Sequence, residues 1–332
     1  MPEPTNPTDQ LLSRLLSRLK MRHLMLLLHI RRFGSLTRVA QELATTQSAV
    51  TQTLAELEGM FGVPLFVRTG RGMRATPLGE IALARAELMM QDLEHWAREM
   101  ESVEAGFAAH LHVGVIPFVS GKLICDAILH THGKGGKLAV TIREATSDQL
   151  LRALHEHELD CVIARATAAA CIPGIVHEVL YHQSPRLITN PRLAGHLAAL
   201  PLDWAKLARL DWILPSPSTP IGAMVNDLFI RSGVRPPSPL IETYSLKILG
   251  HMIQSSAAVV SIVPADIADE LERTEGVASV PYRLDWQLPP IALFRRQRDM
   301  PLKVEDMFAQ ALRELCMQFN GVLGNRVKPS QE

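Results

Sequence analysis

The chain has 332 residues, 47% hydrophobic and 20% charged, with acidic and basic side chains in equal number. No apolar run approaches the ~18 residues needed to span a bilayer, and the polar, Pro-rich start MPEPTNPTDQ is unlike a secretory signal, so a cytoplasmic protein is expected. Four cysteines (Cys125, Cys161, Cys171, Cys316) without C-x-x-C spacing argue against a zinc site or disulfide framework. Cys161, in the apolar run DCVIA, reads as a buried core thiol, with a Cys161–Cys171 redox pair as the alternative.

Residues 1–10 are expected to be disordered. The stretch LLSRLLSRL (11–19) places Leu12, Leu15, Leu16 and Leu19 on one helical face. It is either an added helical turn or two or upstream sequence, with Met21 the true start. Residues 11–79 then carry ten Arg or Lys against three acids, a local charge of +7. Within them the spacing predicts helices over about 21–32, 36–43 and 47–61. Ser35 and Thr46 serve as N-caps, and Leu36, Val39, Ala40 and Leu43 face inward. Val50, Leu54, Leu57 and Phe61 fall at i, i+4, i+7 and i+11, one face of the third helix. Gly62-Val63-Pro64 breaks that helix, and LFVRTGRGMRATP gives two short strands around a Thr69–Gly72 turn.

A long helix follows, capped by Thr76 with Pro77 at its first position. Ala82, Ala86, Met89, Leu93, Trp96, Met100, Val103 and Phe107 are spaced alternately four and three, a heptad seam that predicts a coiled-coil dimer. The competing reading is an amphipathic helix packed on its own domain. Residues 80–110 carry −5, as a solvated stalk would. Beyond about His110 strand-like runs (LHVGVI, LAVTIRE, DCVIAR, PRLIT, DWIL, PLIET, VVSIV, PIALF) alternate with helical stretches at 119–131, 147–157, 220–232, 246–256, 265–274 and 302–319. This pattern predicts an α/β wrap with mostly parallel sheets in two small lobes.

Two short helices joined by a tight turn, followed by a basic hairpin, describe a winged helix-turn-helix. On its second helix Gln47, Ser48, Thr51 and Gln52 lie opposite the apolar stripe. Glutamine can pair bidentately with adenine, and short hydroxyls can meet base edges, thymine methyls or phosphates. Acids enter only from Glu56 onward. Ser35, Arg38, Thr45 and Thr46 complete the expected contacts around the helix starts, and Arg68, Arg71 and Arg74 of the wing can grip phosphates or enter the minor groove. A polar solvated face with a basic hairpin is the bland alternative.

The stretch GSLTRVAQELATTQSAVTQTLAELEGMFGVPLFVRTGRGMRATPLGE resembles the N-terminal signature of LysR-type transcriptional regulators, densely over residues 20–80 and more loosely beyond. KMRHL and the RGMRAT wing look like the branch governing aromatic-acid and sugar catabolism. Ser48 stands where the family commonly has Pro, and Gln52 where it often has Arg. The resemblance implies a DNA-binding head (20–76), a dimerising linker helix (77–108) and a two-lobed domain like periplasmic binding proteins. Lobe one would comprise 110–182 and 286–325 and lobe two 183–285, with crossovers near Tyr181–Ser184 and Asp285–Pro289.

Four strand-to-helix junctions carry capping residues: Phe118-Val119-Ser120, Thr146-Ser147, Ser218-Thr219 and Tyr244-Ser245. Four helix N-termini facing one cleft would favour an anion. The resemblance places inducers in that cleft, and by position Phe118, Thr146, Ser147, Pro215, Ser216, Thr219, Tyr244 and Ser245 match its wall, with Ser120 beside them. The family often has Gly in the approach to the next strand; Ala257-Ala258 stand there in this chain, implying a different local turn. The expected partners are double-stranded DNA, a small effector of carboxylate type, RNA polymerase, and further copies of the chain as a dimer or tetramer. No cofactor is expected. His155 and His157 in HEHE fall far apart around a helix, unsuited to one metal. No nucleophile elbow, P-loop or dinucleotide fingerprint occurs, so no enzyme is expected. A solute-binding module without regulatory role is the alternative function.

Overall fold

A computed structural model describes residues 7–70, 72–104, 106–107, 109–135, 137–167, 172–284, 288–298 and 302–324. It divides into two compact units, residues 1–98 and 99–332.

The first unit begins with α1 (Pro7–Arg18), so residues 7–10, expected to be disordered, form a helical turn with Asp9 near its positive end. Leu15 and Leu19 pack against the head core, whereas Leu12 and Leu16 are 53% and 79% exposed. The inward stripe is therefore narrower than the four-leucine face expected. Helices α2 (Met21–Phe33), α3 (Leu36–Glu42) and α4 (Gln47–Phe61) enclose a core of Leu27, Ile30, Val39, Val50 and Leu57. Gly34 (φ 64°) and Gly62 (φ 75°) end α2 and α4 in the left-handed region, each N–H closing on a helix carbonyl. Strands β1 (Phe66–Thr69) and β2 (Gly72–Ala75) form the antiparallel wing.

The long helix α5 (Pro77–Glu104) is capped by Thr76, whose hydroxyl oxygen accepts from the Gly79 N–H at 3.0 Å. Its seam is divided. Ala82, Leu83 and Ala86 are buried in the head core, while Met89, Trp96, Met100 and Val103 are exposed, Trp96 by 62%. The first repeat thus packs on its own domain, and the repeats from Met89 onward leave apolar side chains exposed.

The second unit contains two five-stranded sheets. The first holds β3 (Ala109–Val115), β4 (Leu138–Glu144), β5 (Cys161–Arg165), β6 (Ile175–Tyr181) and β12 (Ile291–Arg296) in the order β4-β3-β5-β12-β6. Helices α6 (Gly121–Gly135), α7 (Ser147–His155) and α13 (Lys303–Gly324) accompany it. The second holds β7 (Pro185–Thr189), β8 (Asp211–Leu214), β9 (Ile241–Glu242), β10 (Val259–Pro264) and β11 (Ala278–Val280) in the order β11-β7-β10-β8-β9. It carries α8 (Pro191–Ala198), α9 (Trp204–Leu207), α10 (Pro220–Arg231), α11 (Leu246–Ser255) and α12 (Ala265–Glu275).

The expectation of mostly parallel sheets needs correction. In each sheet the strands joined by helical crossovers are parallel, β3 to β4 and β5, and β8 to β9 and β10. The strands delivered by links between the sheets, β12 and β7, run antiparallel to both neighbours. Only βαβ crossovers demand parallel pairing; a strand arriving directly from the other lobe is free to enter reversed.

Each sheet has its own core, with Val162, Ile163, Phe294 and Phe308 central in one and Trp212, Phe229, Val260 and Ile267 in the other. The Trp212 indole donates to the Leu207 carbonyl at 2.8 Å. Cys161 is fully buried, and burial pushes its thiol well above the ordinary range, as a core role requires. Cys171 lies outside the described residues, as does the 285–287 part of the expected crossover. Helix α7 ends at His155, with His157 beyond it at φ 62°, so the expected helical spacing of the HEHE histidines does not exist. Neither Ala257 nor Ala258 has a positive φ, and the Ala258 N–H reaches the Ser256 hydroxyl at 3.3 Å.

Candidate nucleic-acid interface and ligand cleft

On the head, α4 is held by Thr46, whose hydroxyl oxygen accepts from the Ala49 N–H at 3.2 Å. Gln47, Ser48, Thr51 and Gln52 are all exposed on the face opposite Val50, Leu54 and Leu57. Their polar groups are partly engaged: the Thr51 hydroxyl donates to the Gln47 carbonyl at 2.8 Å, and the Gln52 amide to Glu56 at 3.3 Å. Ser48 faces the Thr46 hydroxyl at 2.9 Å. The acids that follow are turned to structural use. The Glu58 carboxylate accepts from the Leu65 and Phe66 N–H groups at 2.7 and 3.1 Å, tying α4 to the wing, and Glu56 lies 3.7 Å from Arg22.

The wing is pinned close to the helical pair. The Met73 N–H donates to the Gly34 carbonyl at 2.8 Å, and a Cβ on Gly72 would stand 2.4 Å from that oxygen. This approach creates a groove of about 190 Å³ lined by Ser35, Thr37, Gln47, Arg68 and Thr69 among others. Three expected contact residues, Ser35, Gln47 and Arg68, thereby meet at one place. Arg38, Thr45 and Arg74 are exposed around it; Arg71 lies outside the described residues.

In the second unit the links between the sheets leave a cleft containing a cavity of about 300 Å³. From the first lobe it is lined by Ile116, Pro117, Phe118, Thr146, Ser147, Asp148, Gln149 and Arg165, and from the second by Ser218, Thr219, Pro220, Ile221 and Tyr244. An adjoining cavity of about 500 Å³ shares Pro117, Thr146, Gln149 and Tyr244 and adds Ser245. Of the residues expected at this wall, Phe118, Thr146, Ser147, Thr219 and Tyr244 line the first cavity and Ser245 the second. Pro215 and Ser216 line neither. The Ser216 carbonyl instead accepts from the Thr219 hydroxyl at 2.7 Å, and it approaches Gly222 so closely that a Cβ there would lie 2.3 Å away. Ser120 is buried and donates to Glu270 at 3.1 Å.

The helix starts differ in what they leave open. Thr219 and Ser245 accept from the Gly222 and Ile248 N–H groups at 3.2 and 3.3 Å, so α10 and α11 are capped as expected. At α7 the Thr146 hydroxyl donates to Asp148 at 2.6 Å and holds that carboxyl below its usual range. An acid in the first turn already offsets the positive end of α7.

Sequence reasoning missed Arg165, the last residue of β5. It is 2% exposed, and its guanidinium donates to the Pro289 carbonyl at 2.9 Å and to the Gln183 amide oxygen at 2.6 Å. Gln183 in turn donates to the Asp266 carboxylate at 2.8 Å, to which the Tyr181 hydroxyl also donates at 3.2 Å. Burial pulls the Arg165 guanidinium down to about 10, against the opposing pull of Tyr181 and Asp266, so it remains a cation at neutral pH. Burial raises the Asp266 carboxyl, although both hydrogen bonds oppose that.

This pairing of a winged helix-turn-helix head with a two-lobed, cleft-bearing domain defines a ligand-sensing DNA-binding protein. Residues 21–80 match the bacterial regulatory helix-turn-helix protein model of the lysR family and residues 104–316 the LysR substrate binding domain, and the chain belongs to this family of LysR-type transcriptional regulators. It is 29% identical to the HTH-type transcriptional regulator PcaQ of Agrobacterium fabrum over 90% of this chain and 95% of that one. It is 27% identical to GbpR of Azospirillum brasilense over 86% and 83%. Among solved structures, full-length CbnR complexed with its target DNA superposes with a TM-score of 0.58 at 20% identity, covering 89% of this chain and 99% of that chain. A full-length OxyR variant from Pseudomonas aeruginosa gives 0.56 at 19% identity over 89% and 98%. No described helix is long and apolar enough to cross a membrane.

Proposed function

We propose that this regulator acts in the cytoplasm by reading an operator through the exposed amide and hydroxyl face of α4 and by changing that grip when a small anionic effector enters the cleft. The observation that carries the reading is the meeting of Ser35, Gln47 and Arg68 in one groove beside an α4 face free of carboxylates from residue 47 to 55. Gln47, Ser48, Thr51 and Gln52 meet base edges in the major groove. Ser35, Arg38, Thr45, Thr46, Arg68 and Arg74, with Arg71, hold phosphates or the minor groove. The head spans 20–76 and the linker 77–108. Lobe one is 110–182 with 286–325, and lobe two 183–285. Met89, Trp96, Met100 and Val103 pair linkers into a dimer, and effector domains join dimers into a tetramer that contacts RNA polymerase. Effector closing the cleft alters the relative angle of the heads and hence the DNA bend.

The cleft contacts are Phe118, Thr146, Ser147, Thr219, Tyr244 and Ser245, with Ser120, Pro215 and Ser216 supporting the wall. Footprinting of the gene's upstream region with and without small carboxylates tests the reading. Protection whose extent changes with one of them supports it; protection insensitive to every compound tested, together with no change in DNA bend, contradicts it.

A further inference from the structure

We infer that Arg165 is the anchor for a carboxylate group on the effector, which supplies the direct ion-pair partner that this buried guanidinium lacks among the described residues. The inference rests on the cleft being the effector site and adds the chemistry that the effector must carry. Arg165 is 2% exposed and lines the 300 Å³ cavity. Among the described residues no carboxylate pairs with it, and its hydrogen bonds go to two neutral oxygens, of Pro289 and Gln183. Burying a charge without a directly paired counter-charge is costly, and such a cost persists where function uses it. A guanidinium has five donors in a planar fork, so two hydrogen bonds leave capacity for a two-pronged oxyanion. The nearest acid in the network, Asp266, is reached only through Gln183 and is itself hydrogen-bonded by Tyr181.

The rest of the lining sets the orientation and the body of the ligand. Arg165 is buried, whereas Asp148 and Gln149 are exposed. The carboxylate therefore points inward and cannot favour the mouth, where the Asp148 charge would repel it. Ile116, Phe118 and Ile221 add apolar surface to the same lining. The effector is accordingly a small monocarboxylate with an apolar middle and, facing Asp148, neutral hydrogen-bond donors such as hydroxyls. A cavity of this size is at the small end for organic ligands.

The test is a thermal-shift series on the full chain with benzoate, hydroxybenzoates, short hydroxy acids and sugar acids, each beside its primary amide, followed by DNA binding with every stabilising compound. The expected result is a rise of about 5 °C or more at saturation by at least one carboxylate and none by its amide. Arg165→Gln should weaken that carboxylate roughly 100-fold or more. Arg165→Lys, which keeps the charge, should retain part of the affinity and shows that loss in Arg165→Gln is not simply misfolding. Stabilisation of Arg165→Gln equal to wild type, equal stabilisation by acid and amide, or no response to any carboxylate overturns the inference. If a neutral compound stabilises the chain and changes DNA binding, the cleft stands as the effector site and only the carboxylate anchor fails. If no compound does either, the effector reading fails as well.

Discussion

Ala44, in the turn between α3 and α4, has φ 48°, a conformation that costs an L-residue about 1–2 kcal/mol. The turn is fixed by the Thr45 N–H on the Ala40 carbonyl at 2.9 Å, so the chain holds the strain rather than relaxing it. Ala44→Gly removes the strain at the expense of unfolded-state entropy and should raise stability by about 0.5–1 kcal/mol in denaturant titration. His23 carries a second residue-level consequence. It is 1% exposed, and its Nδ1 accepts from the Lys20 N–H at 3.0 Å; burial first, and Arg22 next, lower its pKa. The folded state therefore disfavours the proton that the unfolded chain takes up near its ordinary value. Its contribution is present above pH about 6.5 and is lost as pH falls through the depressed folded value. His23→Gln should lose less stability than wild type between pH 7.5 and 5 in thermal melts, and parallel pH profiles would contradict this.

At the scale of elements, the wing and α4 form one device because Gly72 lets the hairpin approach the end of α2. Gly72→Ala introduces a Cβ against the Gly34 carbonyl at φ 121° and should cost about 1–3 kcal/mol. It should also weaken DNA binding in gel shifts while leaving the cleft's ligand response intact. Much of this level was legible in the residues. Thr46 before an apolar stripe and Gly62 after it bounded α4, and PRLIT, DWIL and LAVTIRE coincide with β7, β8 and β4. β6 escaped notice because IVHEVLY places His177 and Glu178 in a strand with exposed positions, which blurs any apolar run. The antiparallel entry of β7 and β12 depends on which lobe the preceding segment leaves, a long-range fact without a local signature. Arg165 escaped for the same reason. An Arg ending a buried strand faces solvent in a one-lobed domain and faces a cavity only once a second lobe stands opposite.

For the whole molecule, charge is segregated, +7 over residues 11–79 against −5 over 80–110. A basic head on an acidic stalk binds DNA by releasing counterions, so affinity should fall steeply with salt. Arg68→Ala or Arg74→Ala should each reduce the slope of log K against log salt by about 1 without altering sequence preference. The base-reading face should behave in the opposite way, so that phosphate grip and sequence reading are carried by different side chains. The most direct test is fluorescence anisotropy of wild type and Gln47→Ala on the footprinted operator and on a scrambled duplex at fixed salt. A bidentate base contact is worth about 1–3 kcal/mol. Gln47→Ala should therefore show a roughly 5- to 150-fold loss on the operator and an unchanged affinity for the scrambled duplex. An unchanged operator affinity, or an equal loss on both duplexes, would contradict it.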